Sequence, residues 1–113
     1  MTLTIYHNPR CSKSRETLAL LAASGLTPRI IEYLKNPPNR EELKHILQVL
    51  GFSAAQLVRK KEATDAGIDV ATSTETELIA AMIRHPEIIE RPIVVNGSRA
   101  ALGRPPESVL SII

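Results

Sequence analysis

The residues best suited to chemistry surround Cys11, the only cysteine among the 113 residues of the chain. It stands in the sequence His-Asn-Pro-Arg-Cys-Ser-Lys-Ser-Arg, which occupies residues 7–15. The β-branched and aromatic run before it predicts a strand, and apolar residues spaced by three and four from Leu18 to Leu26 predict a helix after it. Cys11 then falls at the first turn of the helix, where unpaired backbone N–H groups and the helix dipole favour a thiolate.

Charged neighbours strengthen this interpretation. Arg10, Lys13 and Arg15 bring positive charge within a turn of the sulfur, and His7 is a candidate to tune its ionisation. Guanidinium groups and the N–H groups that open a helix also bind oxyanions. The alternatives are an inert core cysteine and a histidine that merely closes the strand. The density of charge favours a reactive thiolate beside an anion site.

Composition excludes several function classes. A net charge of +2 and three aromatic residues offer neither the basic surface nor the stacking platform of a nucleic-acid binder. The cysteine and the three histidines lack the spacing of metal ligands, so we expect no metal and no bound cofactor. With no export signal, and no apolar run near the ~20 residues of a membrane span, we expect a cytoplasmic protein without membrane contact.

Element signals follow in a regular order. A second strand at residues 30–34 completes a βαβ unit with parallel strands. Asn39, Ser53 and Thr74 are typical helix caps and predict that residues 39–90, approximately, form a helical insert. Two further strands flank Asn96-Gly97, which we expect to be the two turn residues of a hairpin.

A last helix is expected after the hairpin, with Val109, Leu110 and Ile113 facing inward. The order β-α-β, helices, β-β-α predicts an α/β protein with a mixed sheet and a thioredoxin-like fold, as one domain over residues 1–113. Pro92 opens the third strand where that fold carries a cis-proline facing the active-site cysteine.

The loop around Cys11 also resembles a known family. Its His-x-x-x-Cys-x-x-x-Arg pattern is similar to the active-site loop of the glutaredoxin-coupled arsenate reductases. The similarity covers essentially the whole chain and continues in order through Tyr33-Leu34, Pro37-Pro38, Leu57-Val58-Arg59-Lys60, Glu90-Arg91-Pro92-Ile93-Val94-Val95 and Gly103-Arg104-Pro105.

The resemblance implies that Cys11 attacks arsenate while Arg59, Arg91 and Arg104 bind the oxyanion. A planar guanidinium that stays charged suits a tetrahedral oxyanion better than a lysine does. The alternative is that these are ordinary surface arginines. The expected substrate-binding set also includes four residues of the loop, namely Ser12, Lys13, Ser14 and Arg15. Arg15 would serve equally well as a partner for Glu16 or Glu32.

Ser14 stands where a Cys-x-x-Cys pair would have its second cysteine, so an outside thiol must resolve the adduct. The resemblance implies that this thiol is glutathione, as co-substrate, and that glutaredoxin then reduces the mixed disulfide. Two alternatives stay open. One is a monothiol glutathione-dependent thiol reductase, which has no evident need for three arginines. The other is a non-enzymatic, Spx-like regulator that binds RNA polymerase, although such regulators switch through a Cys-x-x-Cys pair.

Overall fold

The computed structural model describes residues 3–113, in which the order of elements is the predicted one. The strands are β1 (Leu3–His7), β2 (Arg29–Glu32), β3 (Ile93–Asn96) and β4 (Arg99–Leu102). The helices are α1 (Ser12–Ala23), α2 (Arg40–Leu50), α3 (Ala54–Leu57), α4 (Lys60–Asp65) and α5 (Glu75–Arg84), with 3₁₀ segments at Pro86–Ile88 and Pro106–Ile112.

The chain forms two compact units. The first, here called the sheet unit, combines the residues up to Asn36 with Arg91–Ile113. The second, the helical unit, is Pro37–Glu90. Cys11, Arg91 and Arg104 belong to the sheet unit, and Arg59 belongs to the helical unit.

The sheet unit is built on a four-stranded mixed sheet in the order β2-β1-β3-β4. β1 pairs in parallel with β2 and antiparallel with β3, and β3 pairs antiparallel with β4. This arrangement confirms the predicted α/β fold with a mixed sheet. β2 begins and ends earlier than predicted, because the backbone turns after Glu32, whose carbonyl accepts bonds from Lys35 and Asn36.

One face of this sheet carries a core of aliphatic side chains. Ile5 of β1 lies opposite Val94 of β3, and Leu21 of α1 packs against both. Val109 and Ile112 of the last 3₁₀ segment complete the cluster. Each such side chain contributes about 1.5–3 kcal/mol when fully buried. This core packs α1 against β1 and β3, and Cys11 lies where the chain passes from the end of β1 to the start of α1.

The hairpin turn differs by one residue from the prediction. Asn96 ends β3 and pairs with Arg99, so the turn residues are Gly97 and Ser98. Gly97 has a φ of 64°, and a glycine with positive φ at the first central position is typical of a type II′ turn. Asn96 stays in the strand, where its side-chain amide donates to the carbonyl of Ile112 at 2.6 Å.

The prediction of which residues face inward in the last helix is partly wrong. Pro106–Ile112 is a 3₁₀ segment, in which side chains three residues apart share a face. Pro106, Val109 and Ile112 are therefore buried, whereas Leu110 and Ile113 are exposed by 43% and 41%.

Three of the four α-helices in the helical unit begin at local caps, as the sequence predicts. Capping boxes open α2 at Asn39, α3 at Ser53 and α5 at Thr74. In each box the cap side chain accepts a backbone N–H and the third helical residue returns the bond. Within residues 3–113, no helix has the length and apolar character needed to cross a membrane.

The helical unit buries aliphatic side chains of its own, including Leu43, Leu57, Leu78 and Met82. An isolated antiparallel bridge joins Val58 to Ile89. Next to it, the backbone N–H of Arg59 donates to Ile88 at 2.7 Å and that of Glu90 donates to Leu57 at 2.8 Å. These bonds bring Arg59 beside Glu90.

Candidate active site

Cys11 is the N-cap residue of α1. Its backbone is extended, with φ −92° and ψ 122°, and its carbonyl accepts the N–H of Arg15 at 3.0 Å. The N–H of Cys11 donates to the carbonyl of Asn8 at 3.0 Å, which closes a turn ahead of the helix. A side chain at this position lies beside the N–H groups that have no acceptor within the helix.

The sulfur is stabilised as a thiolate. Burial raises the pKa of Cys11, but hydrogen bonds from the backbone N–H of Ser14, the Arg91 guanidinium and the backbone N–H of Lys13 outweigh it. The net effect lowers the pKa below 9.0, the value taken for an ordinary cysteine. Arg104 also approaches, with Nη2 at 3.6 Å from Sγ. The thiol remains partly exposed, so a reactant can reach it.

Arg91 and Arg104 are linked through the backbone. The Nε of Arg104 donates to the carbonyl of Arg91 at 2.7 Å, while its Nη2 faces the sulfur. The peptide bond between Arg91 and Pro92 is cis. The N–H of Gly103 donates to the carbonyl of Pro92 at 2.9 Å. The segments that precede β3 and follow β4 bring two guanidinium groups to Cys11.

His7 and Ser14 form a buried polar pair behind the loop. His7 Nδ1 lies 2.7 Å from Ser14 Oγ, which also accepts the backbone N–H of Asn8 at 3.0 Å. Burial lowers the pKa of His7, Glu32 raises it and Arg15 lowers it, for a net decrease from 6.5. His7 is therefore neutral at neutral pH. Any effect that it has on Cys11 comes through hydrogen bonding and not through a positive charge.

The remaining loop residues face outward. Ser12 is exposed, and Lys13 lies 3.7 Å from Glu16 with both side chains about half exposed. Arg15 donates from Nη1 to the carbonyl of Pro9 at 2.8 Å. Lys13 and Ser14 reach the sulfur through their backbone N–H groups, which is the geometry of an anion site at a helix start.

Arg59 is engaged by two carboxylates inside the helical unit. Its Nε donates to Glu62 and its Nη1 donates to Glu90 at 2.8 Å, with all three side chains about three-quarters buried. Burial lowers the pKa of Arg59, but these carboxylates raise it by more. The guanidinium stays charged, and any anion that it binds will also meet its two acidic partners.

Within residues 3–113, no three side chains of histidine, cysteine, aspartate or glutamate lie together as metal ligands would.

Asn8 is the residue of this loop that the sequence did not single out. It is 8% exposed, and its Oδ1 accepts the backbone N–H of Arg10 at 3.0 Å. The available signal was the pair Asn-Pro, which favours a turn closed by the asparagine side chain.

Comparison with known proteins gives one consistent family. Residues 6–112 match the family model described as the ArsC family. The chain is 48% identical to the uncharacterized Escherichia coli protein YfgD, over 96% of this chain and 94% of YfgD. It is 45% identical to a Haemophilus influenzae protein named arsenate reductase, over 100% of both chains.

A solved structure extends the similarity to the fold. The arsenate reductase from Vibrio cholerae superposes with a TM-score of 0.90 and is 47% identical, over 100% of this chain and 98% of that chain.

Proposed function

Because the chain belongs to the ArsC family, we propose that it is an oxidoreductase that reduces arsenate to arsenite at Cys11. The observation that supports this proposal best is the convergence on one sulfur of helix N–H groups, Arg91 and Arg104. The same donors that favour a thiolate would bind a tetrahedral oxyanion.

In the proposed reaction, the Cys11 thiolate attacks arsenic and forms a sulfur–arsenic bond, and one arsenate oxygen leaves as water after taking up protons. Arsenic is not yet reduced at this stage. Arg91, Arg104 and the N–H groups of Lys13 and Ser14 stabilise the negative charge that develops on the oxygens.

Reduction requires a second thiol, because the chain has one cysteine. We propose glutathione as this co-substrate. Its thiolate attacks Cys11 Sγ, the new disulfide forms, and the electron pair of the sulfur–arsenic bond leaves with arsenic as arsenite. A glutaredoxin thiol then takes over the glutathione and restores the Cys11 thiolate. These partners are abundant in the cytoplasm, which is the proposed compartment.

Arg59 remains a proposed oxyanion ligand, by resemblance to the family. Its Nε and Nη1 already donate to Glu62 and Glu90, so an oxyanion bound by Arg59 would share the guanidinium with two carboxylates.

The test is arsenate-dependent NADPH consumption in the presence of glutathione, glutaredoxin and glutathione reductase, with arsenite measured directly. Cys11→Ser should abolish turnover. Arg91→Ala should lower kcat/KM by about 100-fold, as the loss of a charge-stabilising donor does in other enzymes. Arg29→Ala, which changes an exposed arginine of β2, should retain the wild-type rate. Arsenate turnover that survives Cys11→Ser would refute the proposal.

A second candidate is a monothiol thiol reductase, because a lone cysteine with a lowered pKa can exchange with glutathione mixed disulfides. The same assay with a glutathionylated substrate in place of arsenate separates the two. Wild-type turnover of that substrate, together with no response to arsenate, would favour the second candidate.

A further inference from the structure

Asn8 forms hydrogen bonds with residues on both sides of Cys11. Its side-chain Oδ1 accepts the N–H of Arg10 at 3.0 Å, and its carbonyl accepts the N–H of Cys11 at 3.0 Å. Its own backbone N–H donates to Ser14 Oγ at 3.0 Å. A polar side chain that is 8% exposed is costly to bury unless such partners are present.

The first two of these bonds close the same turn. Residues 8–11 form a β-turn, in which asparagine at the first position and proline at the second are both favoured. The bond from the N–H of Arg10 to the Asn8 side chain closes the turn a second time, in addition to the backbone bond from Cys11 to Asn8. The turn ends on Cys11, whose extended backbone makes it the N-cap of α1.

The third bond joins the start of the turn to the first turn of the helix. Ser14 is one of the two residues whose backbone N–H groups donate to Cys11 Sγ. Asn8 thus connects the segment that precedes the sulfur with the segment that supplies its hydrogen-bond donors.

We propose that Asn8 is a positioning residue of this site, whose side chain holds the loop in the geometry that brings the N–H groups of Lys13 and Ser14 to the sulfur. It acts through the loop and not through contact with the reacting atoms. The inference rests on the proposed function only in taking Cys11 as the nucleophile. Without Oδ1, the N–H of Arg10 loses its acceptor, the turn loosens and the thiolate is less well stabilised.

Alkylation by iodoacetamide tests this directly, because Cys11 is the only cysteine. Asn8→Ala removes the side-chain acceptor and keeps both backbone bonds. Below the thiol pKa, its alkylation rate should fall by about threefold or more, which corresponds to a pKa rise of about 0.5. Asn8→Ser should recover most of the rate, because a hydroxyl can accept the same bond.

Asn39→Ala is the matched control. It also removes one asparagine acceptor, from the 2.9 Å bond with the N–H of Glu42 at the start of α2. Both alanine variants should lower the unfolding temperature, but Asn39→Ala should keep the wild-type pH profile of alkylation. The inference is overturned if Asn8→Ala keeps the wild-type profile, or if Asn39→Ala shifts it equally. Since alkylation needs no arsenate, this result is independent of whether arsenate is the substrate.

Discussion

Cys11 is subject to opposing effects whose balance determines its reactivity. Burial disfavours its charge, while two backbone N–H groups and Arg91 favour it, and the balance lowers its pKa. The positive neighbours noted in the sequence contribute differently from what we expected. Lys13 acts through its backbone N–H, and Arg15 is held by the carbonyl of Pro9.

This balance makes the stability of the protein depend on pH. A thiol whose pKa is lower in the folded than in the unfolded chain stabilises the folded state once it is ionised. The contribution is fully present above 9.0, the unfolded value, and is lost as the pH falls through the folded pKa. We expect the free energy of unfolding of the wild type, relative to that of Cys11→Ala, to increase as the pH rises from the folded pKa to the unfolded pKa. Denaturant titrations at a series of pH values measure this difference. Arg91→Gln should reduce that increase, and a pH-independent difference would contradict the pKa shift.

His7 predicts a second dependence at lower pH. Its neutral form is favoured in the folded protein, so the unfolded chain takes up a proton at higher pH than the folded chain. Stability should therefore decrease as the pH falls below 6.5 and continue to decrease until the folded pKa is passed. His7→Gln should show a shallower decrease in the same titrations, with His45→Gln, at an exposed position of α2, as the control.

At the residue scale, sequence reasoning selected Cys11, Arg91 and Arg104, and the structure brings these three together. It did not find Asn8 or the neutrality of His7. Both depend on burial of polar atoms behind the loop, which local spacing does not reveal.

At the element scale, Gly103 controls how closely the segment after β4 approaches α1. A Cβ at this position would collide with Thr17 Oγ1 and would lie 2.7 Å from Pro92 Cγ. Arg104 follows directly and reaches the sulfur from there. The missing side chain therefore permits the contact between elements that brings Arg104 to Cys11.

We expect Gly103→Ala to destabilise the protein by about 1–3 kcal/mol, as overpacking does. It should also move Arg104 and raise the pKa of Cys11. Urea unfolding and the pH profile of alkylation measure these two effects. Adding Thr17→Ala removes the threonine atoms that the new methyl group meets, so the double variant should lose less than the sum of the single losses. Additive losses would show that the collision with Thr17 is not the cause.

The sequence predicts an element well where residues close together in the chain determine it, and less well where contacts with distant elements do. The starts of α2, α3 and α5 are set by capping boxes within four residues, and the sequence identified them. The last segment was predicted as a helix with Val109, Leu110 and Ile113 inward. It is a 3₁₀ segment in which Val109 is buried as predicted, but Ile112 takes the second inward position and Leu110 and Ile113 are exposed. Its geometry depends on contacts with α1 and β4, which the local sequence does not specify.

At the scale of the whole molecule, one cysteine determines how the proposed reaction must end. Residue 14 lies in the first turn of α1, three positions after Cys11, and its N–H already donates to Sγ. In the wild type, this position holds a hydroxyl that bonds to His7 and cannot act as a second thiol. The side chain of residue 14 thus makes the proposed reaction depend on an outside thiol.

Ser14→Cys should remove that dependence. Cys11 is the N-cap residue of α1 and residue 14 is its third helical residue, so Ser14→Cys creates a Cys-x-x-Cys pair at a helix start, a motif that forms redox-active disulfides in other proteins. The new thiolate can attack Cys11 Sγ in the arsenic adduct, form an internal disulfide and release arsenite, so one turnover should occur without glutathione. Loss of the buried bonds to His7 and Asn8 should cost about 1–3 kcal/mol. Quenched single-turnover assays should detect stoichiometric arsenite from Ser14→Cys and none from the wild type or from Cys11→Ser combined with Ser14→Cys. If the wild type released arsenite without added thiol, the proposed reaction would be wrong, because the wild-type chain has no second thiol to attack Cys11 Sγ.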